Sequence, residues 1–536
     1  MTPQQGLSMV YLLPHLIERA AELDPDHVAL RYRGESLTYG ELFARASQLA
    51  QALVDDGVAP GDRIGILLPK CFESAIALYG IMSAGAVYVP LDPTAPAARV
   101  EFVIRDCGIR RVVSSAAKSQ VIEELHAAGT PLEAIFGIDD SEAIPYRSVS
   151  WKEIAAFPAT PPPVPTTEQD LCYILYTSGS TGTPKGIMHT HRSALAWAEV
   201  TTSVYRLSSD DVISNYAPLH FDLSTLDYFG GARARATTVI IPEEYTRFPA
   251  SLAGLIEDEK MTVFYTVPLA LVRLATPGIL EGRDFSTLRL VLFGGEPMPL
   301  KHLQSVMTQL PAVQFVNVYG PTETNGCTHY PVVAEPQEGD DSLPIGRPYP
   351  NVDAMVVDSD GAQVEVGEIG ELFVRAPTMM RGYWGRPDLN EKAFFTRNEH
   401  GGIPEVFHTT GDLVEPLPDG NLRFLGRRDR QIKARGNRVE LDEVEAVLLQ
   451  HAAVHEAAIY ALADGEGSLQ IYGDVILVEG QATEPRELSQ HMRSALPTYA
   501  VPSAIKARRD FPRTSTGKID RRALQAEAIA AANQVS

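Results

Sequence analysis

The chain has 536 residues, 45% of them hydrophobic and 21% charged, and carries a net charge of −22. At about 150 residues per unit this length divides into two to four parts with ordinary globular cores, which excludes a disordered or fibrous protein. The acidic excess repels a phosphate backbone and excludes nucleic acid as a partner, and no stretch reaches the roughly 18 unbroken apolar residues of a membrane span. The opening residues lack a basic segment followed by an apolar core and a cleavage site, and Cys71, Cys107, Cys172 and Cys327 show neither ligand nor disulfide spacing. A cytoplasmic protein with reduced thiols, and no membrane partner, is expected.

Residues 37–127 alternate helical patterns (LTYGELFARASQLAQALV) with short apolar runs (RIGILLP, RVVSS). This is the texture of helices covering a largely parallel sheet, so the fold expected is α/β. The proline-rich segment at 158–167 favours extended chain and is expected to link two lobes of the body, after which LCYILYTSG resumes the sheet. From 370 onward short strands and turn signals take over, and Asp419-Gly420 between alternating segments predicts a hairpin. The charged stretch 428–441 leads into a helix with Leu441, Val444, Val447 and Leu448 on one face. A hinge is placed near Asp429. It divides a large multi-lobed N-terminal body, 1–428, with α/β sheets and a small β-rich lobe, from a smaller α+β domain, 429–536.

The segment YTSGSTGTPKG at 176–186 follows an apolar strand and precedes a helical run from about Arg192. Gly179 and Gly182 let backbone amides converge on an anion, Thr177, Ser178, Ser180 and Thr181 offer hydroxyl donors, and Lys185 adds charge. The spacing is not that of a Walker loop, but the chemistry fits the phosphates of ATP.

With the segments that follow it, this loop resembles the adenylate-forming superfamily, and within it the amino-acid adenylation domains of nonribosomal peptide synthesis. The matching motifs run in the family's order from LTYGEL at 37 to TSTGKIDRRAL ending at 524. The resemblance implies an ATP-dependent ligase using Mg²⁺, acting on a small amino acid. NVYGPTE at 317–323 then supplies Tyr319 for the adenine, Thr322 for the α-phosphate and Glu323 as the metal ligand, although a tight turn around a buried tyrosine reads the same residues. Asp412 in TTGD and Arg427 in LGRRD correspond to the ribose site, though as isolated residues they are also an ordinary surface pair. Lys518 in STGKID corresponds to the family's catalytic lysine, whose ammonium meets the negative charge that builds as a carboxylate attacks the α-phosphate.

The resemblance also implies a second step, in which a phosphopantetheine thiol on an acyl or peptidyl carrier protein attacks the adenylate. For this the smaller domain is mobile, swings about Asp429 and brings the loop around Gly436 to the thiol's path. HFDLSTL at 220–226 matches the opening of the amino-acid pocket, where Asp222 takes the α-ammonium; a turn or helix cap is the other reading of this acid. Counting along the motifs places Leu223, Leu226, Leu269, Leu292, Gly294, Val318, Gly326 and Cys327 around the substrate side chain. With no second charge in that wall, a small neutral amino acid is expected. The set is similar to that of stand-alone prolyl carrier-protein ligases, from which Leu269, Gly294 and Gly326 depart; L-proline is the favoured substrate, with D-alanine, glycine and a modest branched or cyclic amino acid left open. An acyl-CoA ligase and a silent nucleotide-binding scaffold are the alternatives; Asp222 and the complete set of polar residues argue against them.

Overall fold

Unbroken rather than alternating hydrophobicity marks strands buried on both faces, and RIGIL and VYVP form such strands. In the computed structural model Arg63–Leu67 lies between Val87–Pro90 and Arg111–Ser114, parallel to both. The structure describes residues 9–533 except 140–143, 180–182, 337–341, 399–401, 435, 465–467, 480, 482 and 514–518. Among the described residues this sheet has eight strands, with Leu171–Thr177 and Lys185–Thr190 toward one edge and Arg147–Val149 at the other. A second sheet has nine, among which Val212–Asn215, Val263–Thr266, Leu290–Gly294 and Gln314–Tyr319 are adjacent and parallel.

The helix Tyr39–Asp55 starts at a reciprocal cap between Thr38 and Glu41, which satisfies two of the amides a helix N-terminus leaves open. It packs on Phe72–Ser83, in which every residue but Glu73 and Ser83 is buried. Both helices share one hydrophobic cluster with Leu30 and Ile240 of the nine-stranded sheet and Ile64 and Tyr173 of the eight-stranded one. This cluster joins the two sheets into one body.

The proline-rich 158–167 segment has both ends in a single sheet, running from the edge strand Arg147–Val149 and a short helix to the inner strand Leu171–Thr177. It returns the chain within one lobe instead of linking two, because the next free place in that sheet lies several strands inward. The β-rich lobe begins before 370, at Asp353–Val357. It continues through Gly370–Arg375, Phe394–Arg397, Glu405–Pro416 and Leu422–Arg427. The last two strands form the hairpin anticipated at Asp419-Gly420, where Gly420 has φ +82° and so needs the left-handed freedom of glycine.

Beyond Arg427 the chain makes a two-stranded ribbon, Gln431–Ala434 with Asn437–Glu440. The helix Leu441–Leu449 follows, burying Leu441, Val444, Val447 and Leu448. It packs on Val454–Ala463, which with Leu469–Leu477 and Ala504–Arg508 makes a separate three-stranded sheet with its own core. No helix among the described residues is long and apolar enough to cross a membrane.

Candidate active site

Three parallel strands end side by side at Thr266, Gly294 and Tyr319, and the space beyond the carboxyl ends of such strands is where α/β sheets hold ligands. Facing it, Leu171–Thr177 turns back into Lys185–Thr190 with Thr177 paired opposite Lys185. The glycine-rich loop is therefore the bend of a hairpin; the helix expected near Arg192 starts at His191, after this extra strand. Ser180, Thr181 and Gly182 lie outside the described residues. The Thr177 hydroxyl is buried with no hydrogen-bond partner among the described residues, while Ser178 donates to the Arg438 carbonyl at 2.9 Å. A Cβ on Gly179 would run into the Thr183 carbonyl oxygen.

Glu323, 1% exposed, is the electrostatic centre. Its Oε1 accepts hydrogen bonds from the Tyr383 hydroxyl at 2.7 Å and from Lys185 at 3.2 Å, and its Oε2 accepts one from Arg438 at 2.7 Å. Burial alone raises a carboxyl, but Arg438 and Lys185 outweigh it and hold Glu323 well below the usual carboxylate range. Burial, reinforced by Arg438, lowers the Lys185 ammonium. The adjoining turn is fixed where His189 Nε2 lies 2.9 Å from the Thr322 carbonyl oxygen.

A second node brings Tyr319, Asp412, Arg427 and Asp429 together. The Tyr319 hydroxyl donates to Asp412, Arg427 reaches Asp412 through Nη1, and its Nε and Nη2 clamp both oxygens of Asp429 at 2.7 and 2.9 Å. Beside it opens a cavity of about 410 Å³ lined by Gly295, Met298, Asn317, Tyr319, Phe424 and Lys433, among others. Apolar side chains and a tyrosine ring, with a carboxylate at the rim, suit a flat base carrying a sugar. Glu296, Phe424 and Lys433 in this wall are not in the motifs read from the sequence; Lys433 is half-buried with its ammonium 5.8 Å from the Tyr319 ring centroid.

A second cavity, of about 90 Å³, reaches from Thr177 and Thr322 past Asp222 to Trp197. Of the pocket residues assigned from the sequence, Asp222, Leu223, Val318 and Gly326 line it, and Trp197, Phe221, Tyr265 and Asn325 line it as well. Burial pushes the Asp222 carboxyl up, and the Thr322 hydroxyl and Lys433 pull against this without cancelling it. Asn325, φ +55° and 4% exposed, points a buried Nδ2 with no partner among the described residues. Leu269 is displaced from the expected wall. Pro268 starts a helix there, so Leu269 sits half-buried on its surface, and Tyr265, in the strand before it, faces the cavity. Leu226 and Leu292 are fully buried behind the wall with Trp197 and Val318. Gly294 packs its backbone against the Val318 carbonyl oxygen, and Cys327 is buried in one cluster with Tyr319, Ile345 and Leu372.

The ribbon 431–440 closes the site from the C-terminal side: Gln431, Lys433, Gly436 and Arg438 line the same cavity as Asp222, with Tyr499. Gly436, at φ +81°, donates its amide to the Glu296 carboxylate, and a Cβ there would stand 3.1 to 3.4 Å from Val267 carbons. Burial raises Glu296 to about 7 against the pull of this amide. Lys518 lies outside the described residues.

Residues 17–384 match the AMP-binding enzyme family, and residues 443–518 match the AMP-binding enzyme C-terminal domain. The chain belongs to the AMP-binding enzyme family. These enzymes are adenylate-forming ligases that consume ATP. A family relative, the L-proline--[L-prolyl-carrier protein] ligase of Pseudomonas fluorescens, is 35% identical over 93% of this chain and 96% of its own. Tyrocidine synthase 3 of Brevibacillus parabrevis is 34% identical over 97% of this chain but only 8% of its own length. Two solved structures show the same fold, each with a TM-score of 0.84. The amide bond synthetase McbA of Marinactinospora thermotolerans is 25% identical, covering 96% of this chain and 99% of its own. The Vibrio cholerae adenylation domain AlmE, in complex with glycyl-adenosine-5'-phosphate, is 24% identical, covering 99% and 100%.

Proposed function

We propose that this AMP-binding enzyme activates a small neutral amino acid, L-proline foremost, as its aminoacyl adenylate and passes the acyl group to the phosphopantetheine thiol of a carrier protein. The observation that carries this reading is Asp222: a carboxylate in a confined cavity, its pKa raised by burial despite Lys433 and Arg438, forms no ion pair among the described residues and can take the ammonium of a substrate. The relative named as a proline ligase, matched along nearly its whole length, supports both the amino acid and the carrier.

In the first step a substrate carboxylate oxygen attacks the α-phosphorus of ATP, the bond to the bridging oxygen breaks, and pyrophosphate leaves. Thr177 and the hairpin bend hold the phosphates, Thr322 meets the α-phosphate, and Tyr319, Asp412 and Arg427 hold the nucleoside. Lys518, assigned from the sequence, supplies the ammonium for the developing charge. Among the described residues no three His, Cys, Asp or Glu cluster to hold a metal. One hard carboxylate beside a phosphate site nevertheless fits Mg²⁺, which takes one or two carboxylates and completes its shell with water and substrate phosphates. Glu323 would hold it, and the ion neutralises triphosphate charge when bound. In the second step the thiol sulfur attacks the acyl carbonyl carbon and AMP departs; the 429–536 domain, turning on Asp429, presents Lys518 for one step and the Gly436 turn for the other. The reaction belongs in the cytoplasm, where ATP is supplied.

Amino-acid-dependent ATP–pyrophosphate exchange across the proteinogenic set tests this, with the highest kcat/KM expected for L-proline. A flat profile overturns the proline assignment. Faster acyl transfer to coenzyme A than to a pantetheinylated carrier overturns the carrier.

A further inference from the structure

One wall of the acyl cavity comes from a helix outside the motifs. Trp197, on His191–Val204, is 2% exposed, and its indole meets the Tyr349 ring edge-on with centroids 5.6 Å apart. Tyr349 is itself held by the Tyr205 hydroxyl and stacked on His329 at 4.5 Å, so the indole is braced from behind. On the cavity side it lies across Gly326. A Cβ built there would stand 2.6 Å from Cζ3 and closer still to Cη2, far inside the roughly 3.5 Å at which carbon atoms make favourable contact. The indole and a side chain at 326 therefore claim the same volume.

Resting on the reading of this cavity as an amino-acid pocket, we propose that Trp197 is the specificity-determining residue that limits the substrate side chain to a compact, neutral one. It replaces the side chain that position 326 does not carry. Leu223, Tyr265 and Val318, which pack with it on this side of the cavity, are uncharged and offer an ionic side chain no partner there. Size discrimination follows from the indole because it is a stiff plate backed by two aromatic rings, which cannot yield to one more methylene without unpacking them.

The test is pyrophosphate exchange with glycine, alanine, proline, valine, leucine and phenylalanine for wild type, Trp197→Leu, Gly326→Ala and the double variant. Trp197→Leu is expected to shift kcat/KM toward leucine and phenylalanine, relative to proline, by about tenfold or more. Gly326→Ala is expected to raise KM for compact substrates when the indole is present and to restore the preference for them when it is absent. An unchanged ranking in Trp197→Leu, or the same Gly326→Ala effect in both backgrounds, overturns the proposal. Trp197→Phe, which removes less of the core, carries the same comparison if Trp197→Leu does not fold. Wild type showing no amino-acid-dependent exchange is a different result, and sinks the underlying reading of the pocket instead.

Discussion

Asp222→Asn keeps the shape of the side chain and removes its charge. It is expected to lower kcat/KM for the amino acid by about a hundredfold, the scale of an interrupted charge-assisted contact, while nucleotide affinity measured by titration stays unchanged. Glu296 makes a pH prediction. Its folded value of about 7 lies above the ordinary 4.5, so the folded state binds the proton more tightly than the unfolded one. The stability this contributes is complete below pH 4.5 and is lost as pH rises through about 7. Glu296→Gln, which still accepts the Gly436 amide, is expected to raise the melting temperature relative to wild type progressively across that window and to leave the difference constant above; a scan of thermal unfolding against pH reads it. Residues were legible in the sequence where chemistry is written in consecutive letters, as in YGPTE and HFD. Trp197 and Tyr265 were not, because they reach the cavity from a helix and a strand whose local sequence serves the core equally well.

Among the elements, the ribbon 431–440 is the least ordinary. Its turn places Gly436 in the left-handed region against Val267, where any other residue costs about 1–2 kcal/mol in backbone alone. Gly436→Ala is therefore expected to slow loading of a pantetheinylated carrier severalfold or more while leaving pyrophosphate exchange close to wild type, the two rates being measured separately on one preparation. The hairpin at Asp419-Gly420 and the amphipathic helix at Leu441–Leu449 could be read in advance because turn chemistry and hydrophobic period are local signals. The strand Lys185–Thr190 was hidden, since its existence depends on pairing with Leu171–Thr177 and with Gly382–Tyr383, some two hundred residues on. The destination of the proline-rich segment was hidden for the same reason: strand order is a property of the whole sheet.

At the scale of the molecule, one hydrophobic core ends with Leu422 and another begins at Ala434, and the division proposed near Asp429 falls between them. The two parts meet through a buried ion pair, Arg438 with Glu323, and a second, Arg99 with Glu443. Breaking a buried pair from one side costs about 3–5 kcal/mol when no substitute remains. Glu323 keeps Lys185, so Arg438→Met is expected to loosen the docking without unfolding the body. Limited proteolysis within 428–442 reads this: ATP with magnesium should accelerate cleavage in wild type, while the variant should be cut rapidly with or without them.

Glu323 has two oxygens, and three protein groups already hold them. Glu323 would hold a hard cation through the same oxygens, and Arg438, bonded to Oε2, would then compete with it for that position. The carboxylate would thus act as an interlock between two doors of one chamber, open to the ion or to the guanidinium in turn.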